Sequence, residues 1–191
     1  AFDGSWKLWV LPSGLSLVLV PSPHDEHFYI GAVIRGVTRF EALGNNGVAH
    51  FLEHMMFRGC KRFPDFTKMA EAFEWLGGEW NAATSHEHTE YWYSGIRATA
   101  EEVVDLFAEF LENPLFNDFE IERSVIVREL EGEMNDFGNS TDLDHHASTL
   151  LWPESQLALP ILGSKETIAA MNLDKLRAYR DRHYTPRNTA I

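Results

Sequence analysis

Apolar and polar residues alternate in several short stretches of the chain, which is the pattern of half-buried β-strands. Two of these stretches flank Pro12-Ser13-Gly14, a turn-forming tripeptide, so the first pair is predicted to form a β-hairpin. A later pair is rich in Trp, Tyr and Thr, the residue types that favour strands. The predicted strands cover residues 6–11, 15–20, 28–35, 79–84 and 89–96.

Other segments have apolar residues at helical spacing. They cover residues 48–57, 66–76, 99–111, 117–137, 140–151 and 174–183. Gly59, Gly77-Gly78 and Asn113-Pro114 are predicted to end the first three helices. Asn45-Asn46-Gly47 precedes the first helix, which predicts that an Asn side chain caps its N-terminus.

The order of these elements predicts an α+β fold, a mixed and mainly antiparallel sheet with helices packed on one face. We expect residues 1–191 to form one domain. Residues 188–191 resemble the beginning of a strand. We therefore expect that the last strand or strands of this domain, and a second domain, lie outside this chain.

Charge limits the partners of this chain. It has 16 basic and 29 acidic residues and a net charge of −13, which argues against nucleic acid and anionic membrane surfaces as partners. No apolar run is long enough to cross a membrane, so we expect a soluble protein. The single cysteine, Cys60, excludes an internal disulfide, and residues 1–3 show no signal-peptide pattern. The compartment stays open between cytoplasm and periplasm.

The most specific chemical pattern is His50-Phe51-Leu52-Glu53-His54. On a helix, residues four apart share a face, so both imidazoles can reach one metal ion. Glu53 lies beside that face, where it can take a proton from a water on zinc without joining the ligands. The spacing would arise by chance roughly 0.06 times in a chain of this composition. The competing interpretation is a pair of histidines satisfied by their neighbours on a partly buried helix.

A third ligand would favour the metal site, and the long predicted helix offers candidates. Glu122, Glu129 and Glu133 share one face, since the last two lie within about 20° of the first at 100° per residue. Carboxylates among apolar residues are costly to bury unless a cation compensates them. The alternative is that this face is solvated.

Residues 47–59, Gly-Val-Ala-His-Phe-Leu-Glu-His-Met-Met-Phe-Arg-Gly, resemble the signature of the family of pitrilysin, insulin-degrading enzyme and mitochondrial processing peptidase, the inverzincins. The resemblance extends over nearly the whole chain. Its other landmarks are residues 13–20, 36–41, 76–84, 89–92, 122–129, 159–163 and 184–188.

The resemblance implies a zinc metallopeptidase catalytic domain that holds one Zn²⁺. His50, His54 and Glu129 would be its ligands, with 74 residues between His54 and Glu129, and Glu53 would be the general base. Spacing alone does not exclude Glu131, which would have 76 intervening residues, although Glu131 points about 200° away from Glu129 on the helix. Only Glu129 occupies the family position seven after Glu122, which would be an outer carboxylate in the catalytic centre.

The resemblance also implies a way to bind peptides. Asn81 and Ala82 fall where the edge strand of the family meets the substrate backbone. A peptide added there as an extra strand would be held by main-chain hydrogen bonds, which tolerate many sequences.

The leading hypothesis is a zinc endopeptidase that hydrolyses peptides or unfolded segments. Family enzymes resemble a clamshell of two related halves, and nothing here corresponds to the second half. A second homologous domain or subunit is therefore expected. The alternatives are a non-catalytic or partner-dependent subunit that completes a peptidase chamber, and a purely structural zinc site, which normally takes four protein ligands.

Overall fold

The computed structural model describes residues 5–191; the chain start, where we looked for a signal peptide, lies outside them. Its strands are β1 (Lys7–Val10), β2 (Ser16–Leu19), β3 (His27–Ile34), β4 (Glu79–Thr84), β5 (Thr89–Ile96) and β6 (Thr189–Ala190). Its α-helices are α1 (Val48–Met56), α2 (Phe66–Trp75), α3 (Ala100–Glu112), α4 (Phe119–Gly132), α5 (Leu143–Leu151), α6 (Lys165–Ala169) and α7 (Leu173–His183).

The strands form one sheet in the order β1-β2-β6-β3-β5-β4. Only the β2–β6 pairing is parallel, and the other neighbours are antiparallel. The predicted mixed, mainly antiparallel sheet is thus confirmed. β6 confirms that the chain enters a strand near residue 189, and it lies inside the sheet. β4 is an edge strand, which leaves one side of its backbone open.

The helices cover one face of the sheet, as predicted. Along β5, Tyr91 and Tyr93 are fully buried on that face. Phe73 from α2 packs against Tyr93 and Phe110 from α3 packs against Tyr91, with ring centroids 6.0 and 5.5 Å apart. Each buried aromatic side chain of this kind contributes about 1.5–3 kcal/mol of burial free energy. Val33 on β3 points to the opposite face and is exposed, so that face has no covering layer there.

Some predicted helix boundaries were wrong. The helix predicted for residues 117–137 is α4, which ends at Gly132, and the chain then turns back so that Thr141 donates to the carbonyl of Glu133. The helix predicted to begin at residue 140 begins at Leu143, because the side chain of Asp142 accepts from the N–H of Asp144 as its cap. The short helix α6 was not predicted; it begins with a capping box between Ser164 and Thr167.

The predicted Asn cap of α1 was also wrong. Gly47 occupies the cap position in a left-handed conformation with φ of 88°. The buried carboxylate of Glu41 instead accepts from the backbone N–H groups of Gly47 and Ala49, both at 2.8 Å, and from the side-chain amide of Asn46 at 2.9 Å. Glu41 therefore satisfies the free amides at this helix start and complements the positive end of its dipole. It fixes where α1 begins and so where its histidines lie.

The turn between β4 and β5 spans residues 85–88. The hydroxyl of Ser85 accepts from the backbone N–H groups of Glu87 and His88 and so closes this turn. Among residues 5–191, no helix combines the length and the apolar character that crossing a bilayer requires.

Candidate metal centre

Two helices bring three potential ligands together. His50 and His54 lie one turn apart on α1, and Glu129 reaches them from α4. Nε2 of His50 is 3.7 Å from Oε1 of Glu129, and Nε2 of His54 is 3.4 Å from Oε2 of the same carboxylate. One atom from each residue can be chosen so that all lie within 4.8 Å of one another.

These separations fit a zinc ion. Tetrahedral zinc with ligand bonds of about 2.0–2.2 Å places neighbouring ligand atoms about 3.3–3.6 Å apart. The distances from each imidazole to Glu129 lie within 0.1 Å of that range. Two imidazoles and one carboxylate form a donor set that suits zinc and leaves a position open for water or substrate.

Glu53 lies on α1 between the two histidines and is not one of the three clustered ligands. The hydroxyl of Thr84, at the end of β4, donates to Oε2 of Glu53 and fixes the carboxylate against the edge strand. Burial raises the pKa of Glu53, and the negative charge of Glu129 adds to this, while Thr84 and His54 oppose it. A carboxylate with a raised pKa is a better proton acceptor, which suits a general base.

Behind the ligands, a chain of hydrogen bonds orients His54. Its Nδ1 lies 2.7 Å from Oε1 of Glu122, which leaves Nε2 to face Glu129. The guanidinium of Arg58 donates to Oε2 of Glu122. Burial of Glu122 raises its pKa, but the hydrogen bonds from His54 and Arg58 outweigh burial, so the pKa lies below its ordinary value. The lowered pKa favours the charged carboxylate, which in turn favours a proton on Nδ1 of His54.

Sequence analysis missed Arg58. It lies just beyond the C-terminus of α1 and stacks over the ring of Phe66, with 5.3 Å between its guanidinium carbon and the ring centroid. The signal in the sequence was its position four residues after His54, the spacing that brings side chains together on a helical surface.

The pKa values of the two imidazoles are shifted in opposite directions. Burial lowers the pKa of His50 to about 4, and the charge of His54 adds to the effect. Burial also disfavours charge on His54, but the carboxylates of Glu122 and Glu129 outweigh it and raise its pKa to about 9. The proton that His54 gains balances the charges of Glu122 and Glu129. A cation bound between the imidazoles would displace this proton and supply the positive charge in its place.

The other acidic residues of α4 lie away from the histidines. Glu131 forms an ion pair with Lys165 at 2.9 Å, on another side of the helix. Glu133 follows the helix end, and its pKa is raised by burial and by the nearby carboxylates of Asp142 and Glu129. Of the three glutamates predicted to share one face of the helix, the structure therefore brings Glu122 and Glu129 into contact with the histidines.

The edge strand passes beside this centre. Ser85 donates its N–H to the carbonyl of His88, so these opposite residues form a hydrogen-bonded pair. Along an antiparallel ladder, every second pair of opposite residues is hydrogen-bonded and the pairs between them are not. By this alternation the backbone of Ala82, opposite Tyr91, points to the open edge. Oδ1 of Asn81 accepts from the N–H of Ala82 at 2.9 Å. Of the two predicted substrate-binding residues, Ala82 has its backbone N–H at the open edge, and the side chain of Asn81 accepts a hydrogen bond from that N–H.

The chain is similar to proteins of one peptidase family. The family model of insulinase, peptidase family M16, matches residues 17–165. An uncharacterized zinc protease, YmxG of Bacillus subtilis, is 32% identical over 187 residues, covering 97% of this chain and 45% of the relative. Cytochrome b-c1 complex subunit 1 of Mus musculus is 29% identical over 177 residues, or 92% of this chain and 36% of the relative.

A solved structure shows the same fold. The crystal structure of a protease from Helicobacter pylori superposes with a TM-score of 0.87 at 22% identity, covering 97% of this chain and 45% of the other. The chain thus spans less than half the length of the proteins it matches.

Proposed function

The chain belongs to the insulinase family, peptidase family M16, and on that premise we propose that it is the zinc-binding catalytic part of an endopeptidase that hydrolyses peptides or unfolded segments. One observation carries the proposal: His50, His54 and Glu129 converge at zinc-ligand distances while Glu53 lies beside them and is held by Thr84. Homology to zinc proteases supports the metal assignment.

When bound to these ligands, zinc would supply Lewis acidity, which lowers the pKa of a water and polarises the scissile carbonyl. Glu53 would take the proton from the attacking water and deliver it to the leaving nitrogen. The hydrogen bond from Thr84 would keep its second oxygen free for that transfer. Glu122 would act through His54, whose ring it orients.

The substrate would bind as an additional strand along β4. The backbone of Ala82 would pair with the peptide, and Asn81 would release the Ala82 N–H and turn its amide toward the substrate. Since Thr84 is on the same strand and touches Glu53, a peptide in this register would lie across the proposed metal site. Main-chain pairing would give broad sequence tolerance.

We propose that a second homologous domain or subunit completes the substrate chamber, because the chain spans less than half the length of its relatives. The alternative function is a non-catalytic or partner-dependent subunit. The name of the mouse relative, a subunit of the cytochrome b-c1 complex, supports that alternative. The simultaneous presence of three ligands and Glu53 favours the peptidase.

The test is hydrolysis of a quenched, unstructured peptide by the chain with zinc, beside the Glu53→Gln variant and a Glu131→Gln control. We expect cleavage by the wild type and the control, and at least a hundredfold loss in Glu53→Gln with zinc still bound. Cleavage by Glu53→Gln at the wild-type rate would contradict the mechanism. Zinc bound to the wild type and to both variants, without cleavage by any of the three, would favour the partner-dependent alternative.

A further inference from the structure

A cavity of about 410 Å³ opens on the face of the sheet opposite the helices. Its floor includes Ser16, Ala190 and Val33, neighbours in register on β2, β6 and β3, whose side chains therefore share one face. This cavity has no role in the proposed metal chemistry. Its lining is rich in arginine, whereas the chain as a whole is acidic.

Three arginines line this cavity in a chain whose net charge is −13. Arg39 forms an ion pair with Glu87, which also lines the cavity. Arg35 and Arg187 form no ion pair with any carboxylate in the described chain, residues 5–191, so two positive charges are uncompensated. Like charges repel one another, and gathering them is favourable when an anion binds between them.

The backbone holds these arginines in place. The carbonyl of Asn188 accepts from the N–H of Arg35, and the side-chain amide of Asn188 donates to the carbonyl of Arg35, so β3 and the start of β6 are joined there. The stem of Arg187 packs on Gly14 in the β1–β2 turn, where a Cβ would clash with it. The two unpaired guanidinium groups thus extend from a fixed frame.

The cavity extends to the β4–β5 turn, at one end of the edge strand. His88, at the end of the β4–β5 turn, is part of its wall. Thr84, which holds Glu53, pairs with Thr89, and Thr89 pairs with Ile34, the neighbour of Arg35. Two strand spacings therefore separate Thr84 from Ile34, or about 10 Å. A peptide beside β4 is one spacing further away, and it would have to continue past residue 85 and around the β4–β5 turn to reach the opposite face. About five extended residues cover the three strand spacings.

From this placement we propose that Arg35 and Arg187 form a subsite for a carboxylate of the peptide substrate, about five residues from the bond that is cleaved. The proposal rests on the proposed function, since it assumes a peptide along β4. Planar guanidinium groups bind carboxylates through paired, charge-assisted hydrogen bonds. The subsite would add an acidic preference to a strand-pairing mode that is otherwise tolerant of sequence.

The test measures binding to the full chain carrying Glu53→Gln, which prevents turnover. Fluorescent, uncharged peptides receive one Glu at each position in turn, and each is compared with its Gln counterpart. We expect one or two adjacent positions at which Glu binds about tenfold tighter than Gln. In the Arg35→Gln/Arg187→Gln variant this ratio should fall to about one, with the affinity for the Gln peptides unchanged.

A matched control removes the same charge elsewhere, with Arg177→Gln/Arg182→Gln on the exposed side of α7, and should keep the ratio. A ratio that survives in Arg35→Gln/Arg187→Gln, or one lost equally in the control, would overturn the subsite. A preference for Glu at every position, abolished by millimolar inorganic phosphate, would overturn it in favour of a general anion site. Peptide binding with no preference contradicts only the subsite, whereas no peptide binding at all contradicts the proposed function as well.

Discussion

On one side of the metal centre, Glu122 is held between His54 and Arg58, and its side chain is 5% exposed. On the other side, Glu129 is 42% exposed, and its charge acts on Glu53, which is held by Thr84 of the edge strand. The two carboxylates lie on the same face of one helix, two turns apart, yet their surroundings differ in burial and in the number of partners. The closed side contains the groups that orient a ligand, and the open side contains those that would meet water and substrate.

This difference separates positioning from chemistry. The hydrogen bonds on the closed side are made within the protein itself, so they would reduce the reorganisation needed when an ion enters. In the proposed function the open side would need room for a water and a peptide, and Glu129 and the edge of β4 are accessible. Substitutions on the two sides should therefore change different measured quantities.

The largest effect is expected for Glu129→Gln on the open side. Loss of the only carboxylate among the three clustered ligands should weaken zinc binding more than the 10- to 100-fold typical of outer partners, that is, by at least a hundredfold. Competition with a chelator of known zinc affinity measures this loss. Glu131→Gln, on the same helix and paired with Lys165, is the control and should bind zinc like the wild type. Equal zinc affinity in both variants would exclude Glu129 as a ligand.

On the closed side, Glu122→Gln should have the next largest effect. A neutral amide still reaches His54 but no longer stabilises its N–H with a negative charge, so zinc affinity should fall about 10- to 100-fold. The same chelator competition measures it, with circular dichroism to verify the fold. A variant with unchanged zinc affinity would show that the hydrogen bond to His54 does not tune the site.

Arg58→Gln should have a smaller effect in the same direction. Without the guanidinium, the buried Glu122 carboxylate loses its cationic partner, and we expect a roughly tenfold loss of zinc affinity together with a lower melting temperature. Arg58→Lys keeps the charge but not the fork and should recover part of the loss. If Arg58→Lys and Arg58→Gln were equally impaired, geometry rather than charge would decide the role of Arg58.

Asn81→Ala should have the smallest effect and should act on substrate instead of metal. The substitution frees the Ala82 N–H for the peptide, but it also removes an amide that could itself hydrogen-bond the peptide. Because these two effects oppose each other, we expect KM to change only a fewfold, on the scale of about one hydrogen bond. Zinc affinity should stay unchanged. A large loss of bound zinc in this variant would contradict the separation between edge strand and metal site.

A site residue could be predicted from the sequence when the residues it acts with lie close to it along the chain. The histidine pair was predictable because both residues belong to one short helix, whose periodicity sets their positions. The role of Arg58 was not, since its partner Glu122 is 64 residues away and meets it only through packing of α1 against α4. The cap by Glu41 was not predicted for a different reason: its carboxylate lies only six residues before Gly47, but it reaches the helix start from outside the position where a cap is normally found.

Boundaries were lost where local turns override helical pattern. Apolar spacing continues through Met134 and Phe137, but Gly132 ends α4 and the side chain of Asn135 accepts from the backbone of Phe137 and Asn139 in the turn that follows. Sheet order depends on long-range pairing, so the insertion of β6 between β2 and β3 has no signature in any single strand. Fold class and strand positions came from short-range alternation and were confirmed.

The most direct test of the central claim is X-ray absorption at the zinc edge on the metal-loaded chain. The account predicts one zinc per chain with two imidazole nitrogens, oxygen from one protein carboxylate and a further oxygen from solvent, and loss of imidazole scattering in His54→Ala. A sulfur ligand from Cys60, a shell of four protein ligands, or zinc that persists unchanged in His54→Ala would contradict it.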